Sequence, residues 1–311
     1  MPENFAREMS AMAPSGAEQV EQENRERLEA VSRVKEYLAA EQIKISEKLE
    51  ALQKGENPEN RVTVTRDLRI EPPQSRYIER DRKFVEEVSR QNYGTADTAR
   101  VEAEESLKEG FQFELLKTAI MHKYAGKQFI TLRSSRYDDI ANGVDNVLVD
   151  ITTGEPICAF DEVATEKITG SKRYDEKIDE IVRSNLGLYD GVEQKRSARE
   201  GFGPGARLKY GLRIRDNNLE CRPMNNLPLF LLPIDRERLK GGLENFGTEE
   251  GDIYLKMLYR YFLLTMNRQI GQMASDEFKK EFTALPPEMQ QRISYFKSFL
   301  DQEIMGEVEN N

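Results

Sequence analysis

The chain has 311 residues, 33% of them charged and 38% hydrophobic, with a mean hydropathy of -0.70; this length fits one large domain with extensions or two small ones, and this polarity predicts that part of it lies outside a packed core. A net charge of -10 argues against a general coat for nucleic acid, because phosphate binding draws on clustered Lys and Arg. No run approaches the roughly 18 apolar residues that cross a bilayer, and the start has neither the basic opening nor the apolar centre of a signal peptide, so a cytoplasmic protein with no membrane attachment is expected.

From Gly16 to Lys54 the chain lacks Pro and places Val31, Leu38, Ile45 and Leu52 seven apart, with Leu28 and Leu49 in the flanking heptad position and Lys35 and Gln42 interrupting the seam. This predicts a long helix with two readings: a weak coiled coil for self-association or a protein partner, or an amphipathic helix folded back on its own domain. RVTVTRDLRIEPP then reads as an edge strand or extended linker. Helices follow from about Ile78 to Gln91 and from Thr95 to Tyr124, the second with a break near Gly110.

Three strands come next, QFITLRSS, NGVDNVLVD and EPICAFDEV, with RYDDIA read as a solvated loop holding Asp138 and Asp139, and Asp150 to Glu155 as a tight antiparallel connection. A helix over Asp175 to Leu188 leads through GFGPG, which lacks the GK[ST] ending of a phosphate loop, into the strand RLKYGLRIR. There Leu208, Tyr210, Leu212 and Ile214 face one way and Arg207, Lys209, Arg213 and Arg215 the other. Between Lys195 and Arg215 seven basic residues stand against the one acid Glu200, so this face is a candidate track for a phosphate backbone, or else an ordinary solvated sheet face. After the apolar strand LPLFLLPI the chain is helical to its end. The expected division is residues 1–60 for a disordered start and the long helix, 61–98 for a linker and helix, 99–235 for a mixed α/β core and 236–311 for a helical extension.

The single His122 and the isolated Cys158 and Cys221 argue against a structural zinc site and read as structural residues. The chemistry must then come from acids embedded in apolar runs: Glu114 in FQFELL, Asp145 in NGVDNV, and Asp161 or Glu162 in CAFDEV. An unpaired carboxylate in a strand interior costs several kcal/mol, so such acids point to a metal ion, a cationic partner or a cleft.

In order and residues, this segment resembles the PD-(D/E)XK nuclease-like superfamily, over roughly Ala99 to Asp235. The resemblance implies a restriction-endonuclease-like core with a central mixed sheet, Mg2+ or Mn2+ held by Glu114, Asp145 and Asp161 or Glu162, and hydrolysis of nucleic-acid phosphodiesters. The family lysine is missing: Val163 stands two residues after Asp161 and Ala164 two after Glu162. Lys167, Lys172 and Lys117 are the candidates for a relocated lysine. Two other readings stay open, a catalytically degenerate member that binds nucleic acid or a protein, and an unrelated α+β interaction protein.

Overall fold

A computed structural model describes residues 16–74, 79–165, 172–189, 203–215 and 218–306. Helix α1 spans Gly16–Leu52 and is followed by a short hairpin of β1 (Thr63–Val64) and β2 (Ile70–Glu71), then α2 (Glu79–Tyr93), α3 (Thr98–Glu105) and α4 (Glu109–Ala125). The expected break near Gly110 falls between Glu105 and Glu109. The core continues with β3 (Phe129–Arg133), α5 (Arg136–Asn142), β4 (Asn146–Asp150), β5 (Pro156–Thr165), α6 (Lys172–Asn185), the hairpin β6 (Ala206–Arg215) and β7 (Asn218–Leu227), and β8 (Leu229–Asp235). Four helices close the described chain: α7 (Arg236–Asn245), α8 (Asp252–Met273), α9 (Lys279–Thr283) and α10 (Pro287–Gly306).

The main sheet has the order β3-β4-β5-β8, with β3, β4 and β5 antiparallel in sequence and β5 parallel to β8. A parallel pair cannot be joined by a tight turn, and α6 and the β6–β7 hairpin lie in the connection. The antiparallel join of β4 to β5 is the tight turn expected at Asp150 to Glu155. Asp150 Oδ1 accepts from the backbone N–H of Thr152 at 2.8 Å and of Thr153 at 2.7 Å, and Gly154 takes a φ of +69° against the side chain of Ile214, where no Cβ would fit.

Helix α4 packs against β3 and β5, α10 against β5, and α8 against β8, α6 and α10. Phe129 of β3 and Phe230 of β8 meet Phe296 of α10 with ring centroids 6.5 and 5.4 Å apart. The outer edge of β8 is covered by two amides. Gln269 of α8 accepts from Leu231 N at 3.0 Å and donates to Leu231 O at 2.8 Å, and Asn185 of α6 does the same for Leu229 at 2.8 and 2.7 Å. Each amide imitates a neighbouring strand, which removes the unpaired edge.

The long helix folds back. Val31, Val34, Leu38, Ile45 and Leu49 are buried in the same apolar cluster as the sheet and the C-terminal helices, and α1 lies on α4, α7 and β1. All four expected segments contribute to that one cluster, from Ala30 to Leu300. Among the described residues no helix is long and apolar enough to cross a membrane.

RYDDIA is not a loop. It forms α5, capped by Ser135, whose hydroxyl accepts from Asp138 N at 3.1 Å, and ended by Gly143 in the left-handed conformation at φ 62°. Asp138 is fully buried and accepts the backbone N–H groups of Lys209 at 2.6 Å and Tyr210 at 3.0 Å, which ties α5 to the β6 strand. Seven residues of mixed polarity carry too little periodicity to reveal such a helix.

Candidate functional site

The acids singled out in the sequence come to one end of the main sheet, and each meets a particular partner. Glu114 lies on α4 and is buried. Its Oε1 accepts from Arg133 Nε at 2.5 Å and faces Arg69 Nη2 at 3.5 Å. Arg133, the last residue of β3, also binds Asp67 and lies 4.9 Å over the ring of Phe111. Arg69 reaches Asp139 Oδ2 at 2.9 Å and the Ser134 carbonyl at 3.2 Å. Of its two readings, edge strand and extended linker, the segment from Val62 to Glu71 follows the first. It lies along the edge of β3, where Arg133 N donates to Leu68 O at 2.9 Å and Arg69 bridges to Arg133.

Asp145 stands immediately before β4, and its Oδ2 accepts from the backbone N–H of Glu162 at 2.9 Å. The two neighbouring acids of β5 part company, as alternation along a strand requires. Glu162 binds Lys117 of α4, and Asp161 binds Lys177 of α6 at 2.9 Å. Lys117 is completely buried, with its ammonium 5.9 Å from the ring of Phe160.

Of the three lysines weighed for the relocated role, Lys117 is the one at the acids. Lys172 is exposed at the start of α6 and pairs with Glu176 at 3.4 Å, while Lys167 lies outside the described residues.

Burial pushes the Glu114 carboxyl well above the ordinary range; Arg69 pulls it back, and Asp139 and Asp145 push it further up. Burial raises Asp145 to about 7 against the pull of Lys117, with Asp139 and Asp161 adding to the rise. Burial lowers Lys117, and Asp145, Glu114 and Asp161 hold it up. These shifts share one cause. Six carboxylates, Asp67, Glu114, Asp139, Asp145, Asp161 and Glu162, face four cations, Arg69, Lys117, Arg133 and Lys177. Fully ionised, the cluster carries two negative charges in excess.

As the side chains stand, no three acids, His or Cys among the described residues are gathered closely enough to hold a metal ion. The donors are of the kind a hard divalent cation takes, since all the acids offer oxygen.

The basic face of β6 is largely engaged within the protein. Lys209 binds Asp81 of α2 at 2.5 Å, Arg213 binds Glu155, and Arg207 Nε donates to Asn142 Oδ1 at 3.1 Å. Arg215 ends the strand, and Lys195, Arg196 and Arg199 lie outside the described residues. A phosphate track over these four positions is thus weakened, because acids of this chain already occupy two of its cations. His122 is buried on α4 with Nε2 3.2 Å from Glu41 of α1, and burial lowers its pKa, in keeping with a structural role. Cys158 and Cys221 are buried free thiols.

Sequence reasoning did not single out Arg69, Asp67, Arg133 or Lys177. Arg133 left a trace as the charge ending the apolar run FITLR. The others gave no signal, because their partners lie at distant positions in the chain.

No family model matches this chain, no curated protein is significantly similar to it, and no solved structure is a significant match to its fold.

Proposed function

We propose that this is a metal-dependent phosphodiesterase of the nuclease-like type, with Asp145, Glu162 and Glu114 as the acids that would hold Mg2+ or Mn2+ and Lys117 as the relocated lysine. The observation that carries the reading is the position of Lys117. Its buried ammonium sits on Glu162, beside Asp145, and so reaches from the helix the place that Val163 and Ala164 cannot serve. The sheet order β3-β4-β5-β8, with a helix before it and another in the crossing connection, supports the restriction-endonuclease-like comparison.

A bound divalent cation would polarise the phosphate and lower the pKa of a water. The chain's own groups do the rest. Lys117 would orient the attacking water by donating an N–H to it, and its charge would offset that developing on the phosphate oxygens. Arg133 and Arg69 fix Glu114 from two directions, so that its carboxyl stays oriented.

Ion pairs on Glu114, Asp161 and Glu162 favour a second reading, a degenerate nuclease-like fold in which lysine and arginine replace the metal and the protein binds nucleic acid or a protein partner. A cleavage panel of single-stranded DNA, duplex DNA, a branched junction and RNA, with Mg2+ or Mn2+, separates the two. Cleavage by the wild type and not by Asp145→Ala or Lys117→Met is the expected result. Wild-type inactivity on every substrate, with metal leaving its Tm unchanged, would count against hydrolysis and favour the degenerate fold or an unrelated interaction protein.

A further inference from the structure

Residues Thr65 to Arg69 make the turn between β1 and β2, and within it Leu68 holds the left-handed conformation at φ 63°. Short hairpin loops often place a left-handed residue before the second strand, and glycine is the usual choice there. A leucine in that conformation is strained, and such strain persists where the surroundings over-determine it, above all at functional sites. Here those surroundings are explicit. Leu68 is completely buried, in one core cluster with Val62, Val64 and Ile70. Its N–H donates to Thr65 O at 2.9 Å, its carbonyl accepts from Arg133 N at 2.9 Å, and Thr65 N donates to Arg69 O at 2.9 Å.

These bonds fix where the residues on either side of Leu68 fall. Asp67 binds Arg133 with one oxygen and accepts the Thr65 hydroxyl with the other. Arg69 reaches Asp139 at 2.9 Å and Glu114 Oε1 at 3.5 Å, and Arg133 Nε donates to the same Glu114 oxygen at 2.5 Å. One turn therefore governs both cations on Glu114: it contributes Arg69 itself and holds Arg133 through Asp67. Its outer side faces a cavity of about 290 Å³ lined by Thr65, Asp67 and Arg69 and by residues of α2 and α3, so the inner contacts and the Leu68 anchor set its place.

We infer that Leu68 is a positioning residue for Glu114: its left-handed backbone places Asp67 and Arg69 so that two guanidinium groups orient one carboxylate. The service of that carboxylate to a cation rests on the phosphodiesterase reading, whereas the grip of the turn does not. Groups that orient a metal ligand change metal affinity by about 10–100-fold when they are removed.

Titration of the full chain with Mn2+, followed by the EPR signal of the free ion, tests it. If Leu68 served packing alone, Leu68→Gly, which leaves the larger cavity, would be the worse change and Leu68→Val the milder. Positioning reverses that order for the metal. Glycine accepts the left-handed backbone and should keep the wild-type affinity despite a lower Tm, while β-branched valine disfavours it and should weaken Mn2+ about tenfold. Asp67→Asn keeps an acceptor for Arg133 and should also keep the affinity, while Asp67→Ala should weaken it about tenfold; this pair decides if Leu68→Gly does not fold. Affinities that follow the packing order, or that fall equally in the two Asp67 variants, would overturn the inference. A metal-free double-mutant cycle of Asp67→Ala with Glu114→Gln should show coupling of about tenfold in the unfolding constant, and additivity would overturn it as well. Coupling in that cycle with no Mn2+ binding by the wild type would sink the phosphodiesterase reading and leave the grip of the turn on Glu114 established.

Discussion

Asp145 carries the excess charge of the acid cluster in measurable form. Its folded pKa, near 7, lies above the ordinary aspartate value of 3.8, so between those pH values the folded chain binds more protons than the unfolded one. Stability must therefore fall as pH rises through that window. Asp145→Asn keeps an acceptor for Glu162 N–H and removes the charge, so it should raise Tm at pH 8 and leave it nearly unchanged at pH 4; equal effects at both pH values would show that Asp145 does not titrate as described. A cation that relieves the same excess should act with the same sign. Mg2+ is expected to raise the wild-type Tm at pH 8 more than at pH 5.5, and to lose that effect in Asp145→Asn. The Lys117–Glu162 pair gives a second residue-level test. Lys117→Met leaves Glu162 facing a buried methyl group and should cost about 3–5 kcal/mol, whereas adding Glu162→Gln should recover part of that loss. A double-mutant cycle by chemical denaturation reads the coupling, and simple additivity would mean that the pair is not formed. Glu114, Asp145, Asp161 and Glu162 were visible in the sequence because each interrupts an apolar run, and Lys117 as a candidate for the missing lysine. Arg69 and Asp67 were not: the local pattern marked their segment as an edge strand or linker without saying that it lies along β3, and Asp139 was taken for a solvated loop residue.

The elements follow from short-range physics where a period runs long enough to be read. The two-residue alternation of RLKYGLRIR became β6 with Leu208, Tyr210 and Leu212 buried, and the apolar LPLFLLPI became β8. What alternation could not foretell was the fate of the basic side chains of β6: Lys209 turns to Asp81 and Arg213 to Glu155, acids contributed by α2 and by the β4–β5 connection. Charge on one face of a strand reports exposure only until the rest of the chain is placed over it. The same long-range logic protects β8. Gln269 and Asn185 read in sequence as unremarkable helix residues, yet they stand in for a missing strand. Gln269→Leu fills the space and leaves the N–H and C=O of Leu231 without partners, at a cost of about 1–3 kcal/mol for each group. The expected outcome is a drop in the urea midpoint with unchanged slope. A midpoint shift no larger than that of an exposed substitution on α8 would show that the edge is not held by this amide.

At the scale of the whole molecule, the heptad spacing of α1 left two partners open, a second helix or the chain's own core, and the burial pattern decides between them. A two-stranded coiled coil buries its a and d positions against another chain. Here Val34 and Leu38 are completely buried within one chain, and Arg33 Nε donates to the Phe246 carbonyl at the end of α7, 2.9 Å away. Lys35 and Gln42, which break the seam, have roles that only the folded chain explains: Lys35 lies 5.7 Å over the ring of Phe111, and Gln42 donates to the Val64 carbonyl at 3.2 Å. Phe111 is also the ring beneath Arg133, so the packing of α1 bears on the side chains that orient Glu114. Leu38→Ala should then cost about 2–5 kcal/mol, as a buried leucine does, and should lower Tm equally at every protein concentration, because the contact is made within one chain. An arm that paired with a second chain would instead give a Tm that rises with concentration and a Leu38→Ala loss that grows on dilution. Thermal melts of both proteins over a hundredfold concentration range, about 4.6 in natural-log units of the mass-action term, distinguish a helix that completes its own core from one that waits for a partner.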